Sequence, residues 1–310
     1  MIEMIFVTGY VNPDIDCVAC AIGYAELLNA LGKEAKAVYA GDIGEETEFV
    51  KGYLGGLDIE LVDGSYGNGE IVLVDVSDSN GIDELIDIER VVEVIDHRKL
   101  AYLHSFPNAK LQIDLVGSCA TLIAERFQEA NIVPSRDTSV LLFSAIISNT
   151  VNFMNGVTTE RDRLMAEWLS GIAGVSESYV VDMFEYKSNI HRGNLEEIMG
   201  EEFKFYEVQG KRVGVVQLEL CDSVRRVLEL EGDIRRILEE MKGDNDLDFL
   251  LLSCVDIGEG FNYFLTVDLA STDLFNRVFD VEGMENGVRY DRIVMRKEIF
   301  PKVVEVLEKN

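Results

Sequence analysis

Short apolar runs and longer amphipathic stretches alternate through the first half of the chain. Residues 5–7, 35–39, 71–74 and 91–95 are β-branched or apolar runs of strand length. Between them, residues 17–31 read as a helix closed by Gly32, a residue suited to the left-handed conformation that ends helices. Residues 45–54 read as a second helix, and residues 9–16 as a loop. Strands separated by helices predict a parallel sheet with right-handed crossovers. From residue 118 to about 186 the spacing is nearly all helical, over 119–129, 136–148, 160–173 and 177–186. The periodicity breaks at 187–194. Strands then return at 203–208, 212–218, 249–255 and 263–267, with helices at 224–241, 273–279 and 298–309. The reading is an α/β protein of two domains. Residues 1–187 form the parallel-sheet domain, 188–194 a linker, and 195–310 a smaller mixed-sheet domain. A length of 310 residues fits two domains with cores of their own.

Charge narrows the choice of partner. Fifty-seven acidic against 28 basic residues leave a net charge of −29, and such a surface repels polyanions, which excludes a broad nucleic-acid footprint. A small anion can still bind through a local basic pocket or bound metal ions. The apolar run at residues 140–147 is far short of the ~20 residues of a membrane span. Five cysteines (17, 20, 119, 221 and 254) and no export signal predict a reducing compartment, the cytoplasm. Cys17 and Cys20 form a C-x-x-C inside an apolar helical stretch with no second pair nearby, which reads as packing rather than zinc or redox chemistry.

Three acidic clusters share one context, each directly after a strand of the first domain. They are Asn12-Pro13-Asp14-Ile15-Asp16, then Asp75, then Asp96-His97. In open parallel sheets ligands bind beyond the carboxyl ends of the strands, so loops there bring Asp14, Asp16, Asp75 and His97 into one crevice. Any one cluster alone reads equally well as a helix cap or turn. Together the carboxylates repel one another and favour a divalent cation. Oxygen ligands with one imidazole suit Mn²⁺, Mg²⁺, Co²⁺ or Fe²⁺ better than a structural zinc site.

At these positions the sequence resembles the manganese- or cobalt-dependent family II inorganic pyrophosphatases of the DHH phosphoesterase superfamily. Gly9-Tyr10-Val11-Asn12-Pro13-Asp14-Ile15-Asp16 resembles G-H-x-N-P-D-x-D, and Val74-Asp75 the second aspartate motif. Asp96-His97-Arg98 is similar to D-H-H, residues 116–121 to V-G-S/C-x-A-T, and residues 144–149 to S-A-I-I-S-D. Lys204 falls where the family keeps a phosphate-binding lysine, and Met295-Arg296-Lys297 resembles S-R-K. Alone, Lys204 reads as a surface lysine and Arg296-Lys297 as an ordinary basic pair. The resemblance implies an N-terminal DHH domain that carries metal, a DHHA2-type domain that closes over it to make an interdomain active-site cleft, and a homodimer. It implies metal ligation by Asp14, Asp16, Asp75 and His97, catalysis by Asp14, Asp75, His97 and Arg98, and pyrophosphate binding by Arg98, Lys204, Arg296 and Lys297. The cofactor implied is Mn²⁺, with Co²⁺ or Mg²⁺ as substitutes.

Three positions depart from the family pattern: Tyr10 and Arg98 replace histidines, and Asn149 replaces an aspartate. A first metal then keeps Asp14 and Asp75, and a second keeps Asp16, Asp75 and His97. Losing an imidazole and a carboxylate weakens the first ion more, while Arg98 adds a permanent charge that binds phosphate bidentately. The expected activity is hydrolysis of pyrophosphate at reduced rate. Two alternatives stand beside it: a DHH-type phosphodiesterase or other phosphohydrolase with a retuned site, and a non-catalytic phosphate or nucleotide binder. His104 and His191 are expected to be surface or hinge residues.

Overall fold

The structure, a computed structural model, describes residues 4–308 apart from 63, 78, 80 and 98–105. Arg98 and His104 therefore lie outside the described residues. The chain divides into two compact units, Met1–Met183 and Phe184–Asn310.

In the first unit six strands form an all-parallel sheet: β1 (Ile5–Thr8), β2 (Ala35–Tyr39), β3 (Glu60–Leu61), β4 (Glu70–Val74), β5 (Val91–Asp96) and β6 (Lys110–Ile113). Their order is 3-2-1-4-5-6, so the chain reverses direction across the sheet between β1 and β4. That switch point opens a crevice at the carboxyl ends of the strands. One face of the sheet is covered by α1 (Ile15–Ala30), which packs on β1, β2, α3 (Cys119–Glu129) and α4 (Arg136–Asn149). Because α1 and α4 are enclosed on nearly every side, both are apolar around their whole circumference. Helices α2 (Glu45–Leu54) and α5 (Glu160–Ala173) pack outside α4. On the opposite face Ile71, Leu73 and Val94 meet Tyr66, Ile86 and Phe106 from irregular segments.

Helix α6 (Tyr179–Lys187) is followed in the second unit by α7 (Leu195–Glu201) and a mixed five-stranded sheet. Its strands are β7 (Phe203–Val208), β8 (Lys211–Leu220), β9 (Phe249–Asp256), β10 (Phe261–Leu265) and β11 (Val288–Tyr290), in the order 11-10-9-8-7. Only β8 and β9 run parallel, joined by α8 (Ser223–Asp244). Side chains of β8 alternate between two cores. Val216, Leu218 and Leu220 face α7 and α8, whereas Val213 and Val215 face α9 (Leu269–Phe279) and α10 (Arg296–Glu308). Residues 188–194, expected as a linker, send Ile190 into the first of these cores.

The α/β reading of both units matches the structure, and four local differences have identifiable causes. Helix α1 begins at Ile15, two residues early, because the Asp14 carboxylate accepts the Asp16 and Cys17 N–H groups and starts the helix there. Strands β3, β6 and β11 are short and partly exposed, so they lack the apolar run that marks a strand. Helix α7 is a seven-residue piece, too short for its periodicity to register. Helix α9 starts four residues early because Asp268 caps it through the Ser271 N–H.

Leu73 has no exposure in the central strand β4, while Leu61 on the edge strand β3 is 56% exposed. Leu73→Ala should cost about 2–5 kcal/mol, and Leu61→Ala within about 0.5 kcal/mol. The single tryptophan, Trp168, lies in α5, so its fluorescence during urea unfolding reports the first unit alone.

Candidate metal centre

Three of the predicted ligands converge. One donor atom from each of Asp16, Asp75 and His97 lies within 4.8 Å of the others, the group of this kind found among the described residues. The His97 Nε2 is 3.3 Å from Asp75 Oδ1 and 3.8 Å from Asp16 Oδ2. The three come from the first turn of α1, the residue after β4 and the residue after β5. All three therefore border the crevice at the switch point. Asp75 takes a positive φ of 55°, an uncommon conformation for a residue other than glycine, as the chain turns out of β4.

Asp16 and Asp75 are almost wholly buried, at 0% and 1% exposure. The Asp16 carboxylate sits on the N-terminus of α3. Its Oδ1 accepts from Ser118 Oγ (2.9 Å) and the Ala120 N–H (2.8 Å), and its Oδ2 from the Cys119 N–H (2.8 Å). The positive end of the helix dipole favours a charged carboxylate there. His97 donates from Nδ1 to the Val116 carbonyl at 3.0 Å, which leaves Nε2 facing the two carboxylates. An imidazole held this way presents a fixed nitrogen to an ion. Burial pulls the His97 pKa down, but the hydrogen bond to Asp75 and the charges of Asp16 and Asp75 outweigh it, and the imidazole is pushed up to about 9. At neutral pH the imidazolium itself occupies the place of a cation.

Asp14 is not in the group of three. Its Oδ1 accepts the Asp16 and Cys17 N–H groups at 2.9 and 3.0 Å as the N-cap of α1. Burial and the neighbouring Asp16 charge push its pKa up. The Tyr10 hydroxyl accepts the Asp14 N–H at 3.3 Å and hydrogen-bonds the Asp14 carboxylate. Burial, with the charges of Asp14 and Asp75, pushes the phenol far above its ordinary pKa, so it stays neutral. Asn149, at the end of α4, turns its Nδ2 to Asp16 Oδ2. Lys204 is exposed on β7 opposite Val215, and therefore on the face of the second sheet that carries α10. At the start of α10, the Arg296 N–H donates to Gln217 Oε1 and its guanidinium to the Glu202 carbonyl, with exposed Lys297 next in the helix.

Residues 4–146 match the DHH family, N-terminal domain, and residues 181–306 the DHHA2 domain. A protein of Clostridium acetobutylicum named a probable manganese-dependent inorganic pyrophosphatase is 31% identical over 99% of both chains. The manganese-dependent inorganic pyrophosphatase of Bacillus subtilis is 28% identical over 98% of each. The crystal structure of a candidate family II inorganic pyrophosphatase from Methanococcus jannaschii covers 98% of this chain and 100% of its own, with a TM-score of 0.73 and 32% identity. The chain belongs to the family II inorganic pyrophosphatases.

The family's ion fits the donor set present here. Two carboxylate oxygens and one imidazole nitrogen suit Mn²⁺. The three donor atoms lie within 4.8 Å of one another, near enough to share one ion. In this family II chain the partners that hold the ligands were not legible as motifs. Val116 acts through its carbonyl, and residues 118–120 through two backbone N–H groups and a hydroxyl. Backbone groups leave no residue-type signal, although the resemblance at 116–121 marks the segment. Cys17 and Cys20 are free buried thiols on α1, as their apolar setting predicted. His191 accepts the Gly193 N–H in a turn after α6.

A metal ion at Nε2 competes with a proton. Mn²⁺ affinity should therefore rise about tenfold per pH unit up to about pH 9 and then level off. Isothermal titration across pH 6.5–9.5 in a buffer that does not chelate reads this directly. In the metal-free chain the sign is opposite. The raised imidazole stabilises the fold fully below its unfolded value of 6.5, and that stability is lost as pH rises through about 9. The Trp168 unfolding midpoint should fall across the same window.

Proposed function

We propose that this chain hydrolyses inorganic pyrophosphate to two phosphates with Mn²⁺, more slowly than a member with the full ligand set. The observation that carries the reading is the convergence of Asp16 Oδ2, Asp75 Oδ1 and His97 Nε2 at the sheet's switch point. Bound divalent ions supply a nucleophilic water at neutral pH and take up charge on the phosphoryl oxygens. The chain's own residues fix where that occurs. Asp16, braced by α3, and Asp75 provide the negative charge, and the Val116 carbonyl sets the direction of the imidazole. Water consumed and bonds broken balance: one P–O–P bridge is cleaved, and the water's oxygen and protons end on the two phosphates.

Arg98, Lys204, Arg296 and Lys297 are assigned to the pyrophosphate charges, Arg98 as a bidentate partner. Five buried free thiols fit a reducing compartment, and we assign the protein to the cytoplasm. Among the described residues no helix is long and apolar enough to cross a membrane.

Two contacts support the reduced rate. The Asn149 amide donates to Asp16 Oδ2, which already accepts the Cys119 N–H, so it competes with an ion for lone pairs. Tyr10 engages Asp14 in the same way, and Asp14 is the carboxylate assigned to the first ion.

Phosphate release from pyrophosphate with Mn²⁺, Co²⁺ or Mg²⁺ tests this. Tyr10→His with Asn149→Asp should raise kcat about tenfold or more. Native turnover that the pair reduces would show a retuned site instead. No turnover in either form, with tight binding of a nucleotide, would leave a binding protein. Lys204→Ala or Lys297→Ala should raise KM about tenfold with a smaller effect on kcat, as loss of a charged hydrogen bond predicts.

A further inference from the structure

Asp162 has no exposure, yet its carboxylate belongs to none of the motifs that carry the chemistry. It sits in the first turn of α5, where it closes a capping box with Thr159. Its oxygens accept the Thr159 N–H and Thr159 hydroxyl, both at 2.7 Å. They also leave the helix. Asp162 accepts the Gly117 N–H at 2.9 and 3.0 Å from its two oxygens, and the Thr121 hydroxyl at 2.6 Å.

Gly117 stands between two residues that orient metal ligands. Val116 before it gives its carbonyl to His97 Nδ1, and Ser118 after it opens the α3 turn that holds Asp16. The approach is close enough to require glycine, since a Cβ at 117 would lie 2.6 Å from Thr150 Cγ2 and 2.9 Å from Asp162 Oδ2. Thr121 extends the grip one turn into α3. One buried carboxylate thus clamps both ends of the segment whose backbone sets the direction of His97 and holds the Asp16 carboxylate.

We propose that Asp162 is a positioning residue for the metal centre, acting on His97 and Asp16 through residues 116–121. The inference rests on the reading of Asp16, Asp75 and His97 as the manganese site. Removing an outer-shell partner of a metal ligand typically lowers affinity about 10–100-fold. The clamp predicts an effect of that size from a residue that touches neither the ion nor the substrate.

Mn²⁺ binding to the full-length chain is read from the paramagnetic resonance signal of the free aquo ion, with circular dichroism as the check on folding. Asp162→Asn should raise the Mn²⁺ Kd about 10–100-fold, and Thr121→Val, which removes a single clamp bond, about 3–10-fold. Saturating Mn²⁺ should return kcat in both to near the native value. Asp256→Asn is the control. That buried carboxylate holds Ser223, Gly258 and Glu259 in the second unit, so its loss should lower Tm and leave the Mn²⁺ Kd within about twofold. If Asp162→Asn does not fold, Thr121→Val carries the test. A folded variant with native Mn²⁺ affinity, or an equal loss in Asp256→Asn, overturns the proposal. Weakened Mn²⁺ binding in a chain whose native form releases no phosphate from pyrophosphate would leave the clamp standing and defeat the pyrophosphatase reading.

Discussion

A carboxylate with no exposure must find its partners inside the protein, and Asp16 is that carboxylate here. An ionised group in such a place costs several kcal/mol unless hydrogen bonds or a cation replace water. Asp16 draws two N–H groups and a hydroxyl from the opening of α3, an amide from the end of α4, and the imidazole edge of His97. These groups lie about a hundred residues away along the chain. The demand of one side chain therefore decides where α3 begins and how it meets α1, and His97 is drawn to the same point.

The parallel sheet makes that convergence possible. Because β1 and β4 are neighbours, Asp16, eight residues after β1, and Asp75, directly after β4, emerge at the same end, with the residue after β5 alongside. A divalent ion placed there answers two buried charges at once. Without it the imidazolium does so, which is why the pKa of His97 and the affinity for metal are two views of one balance.

How much of this could be read beforehand follows from where the information sits. Apolar runs mark β1, β2, β4 and β5 in the sequence, and acids after three of them point to the crevice. Asp14 was expected at the site and is found as the N-cap of α1, and that capping role is what moves Asp16 from a loop into the first turn of α1. Lys110–Ile113 escaped because its alternation runs over only four residues of a partly exposed edge strand. Asp162 escaped for a different reason. At residue 162 it looks like an ordinary acid in a helix's first turn, and only the fold brings Gly117 to within hydrogen-bonding distance. The three converging side chains lie in motifs local to the chain, while the groups that orient them are largely backbone atoms assembled by packing.

The same distinction bears on the substituted positions. If, as the resemblance implies, Asn149 stands in place of an aspartate, more than one unit of charge changes, because an amide brings a donor where a carboxylate has only acceptors. That donor turns to Asp16 and occupies a lone pair that an ion would otherwise use. Tyr10, which on the resemblance stands where the family has a histidine, is a phenol that stays protonated and engages Asp14. Both substitutions therefore bear on carboxylates beside Asp75 and His97 and leave those two side chains in place. On the proposed reading, Tyr10 weakens the ion that depends on Asp14, while Asn149 draws on Asp16, a ligand of the ion shared with Asp75 and His97. On that reading both carboxylates would hold their ions less firmly, and a mechanism that needs two ions would lose rate through either one.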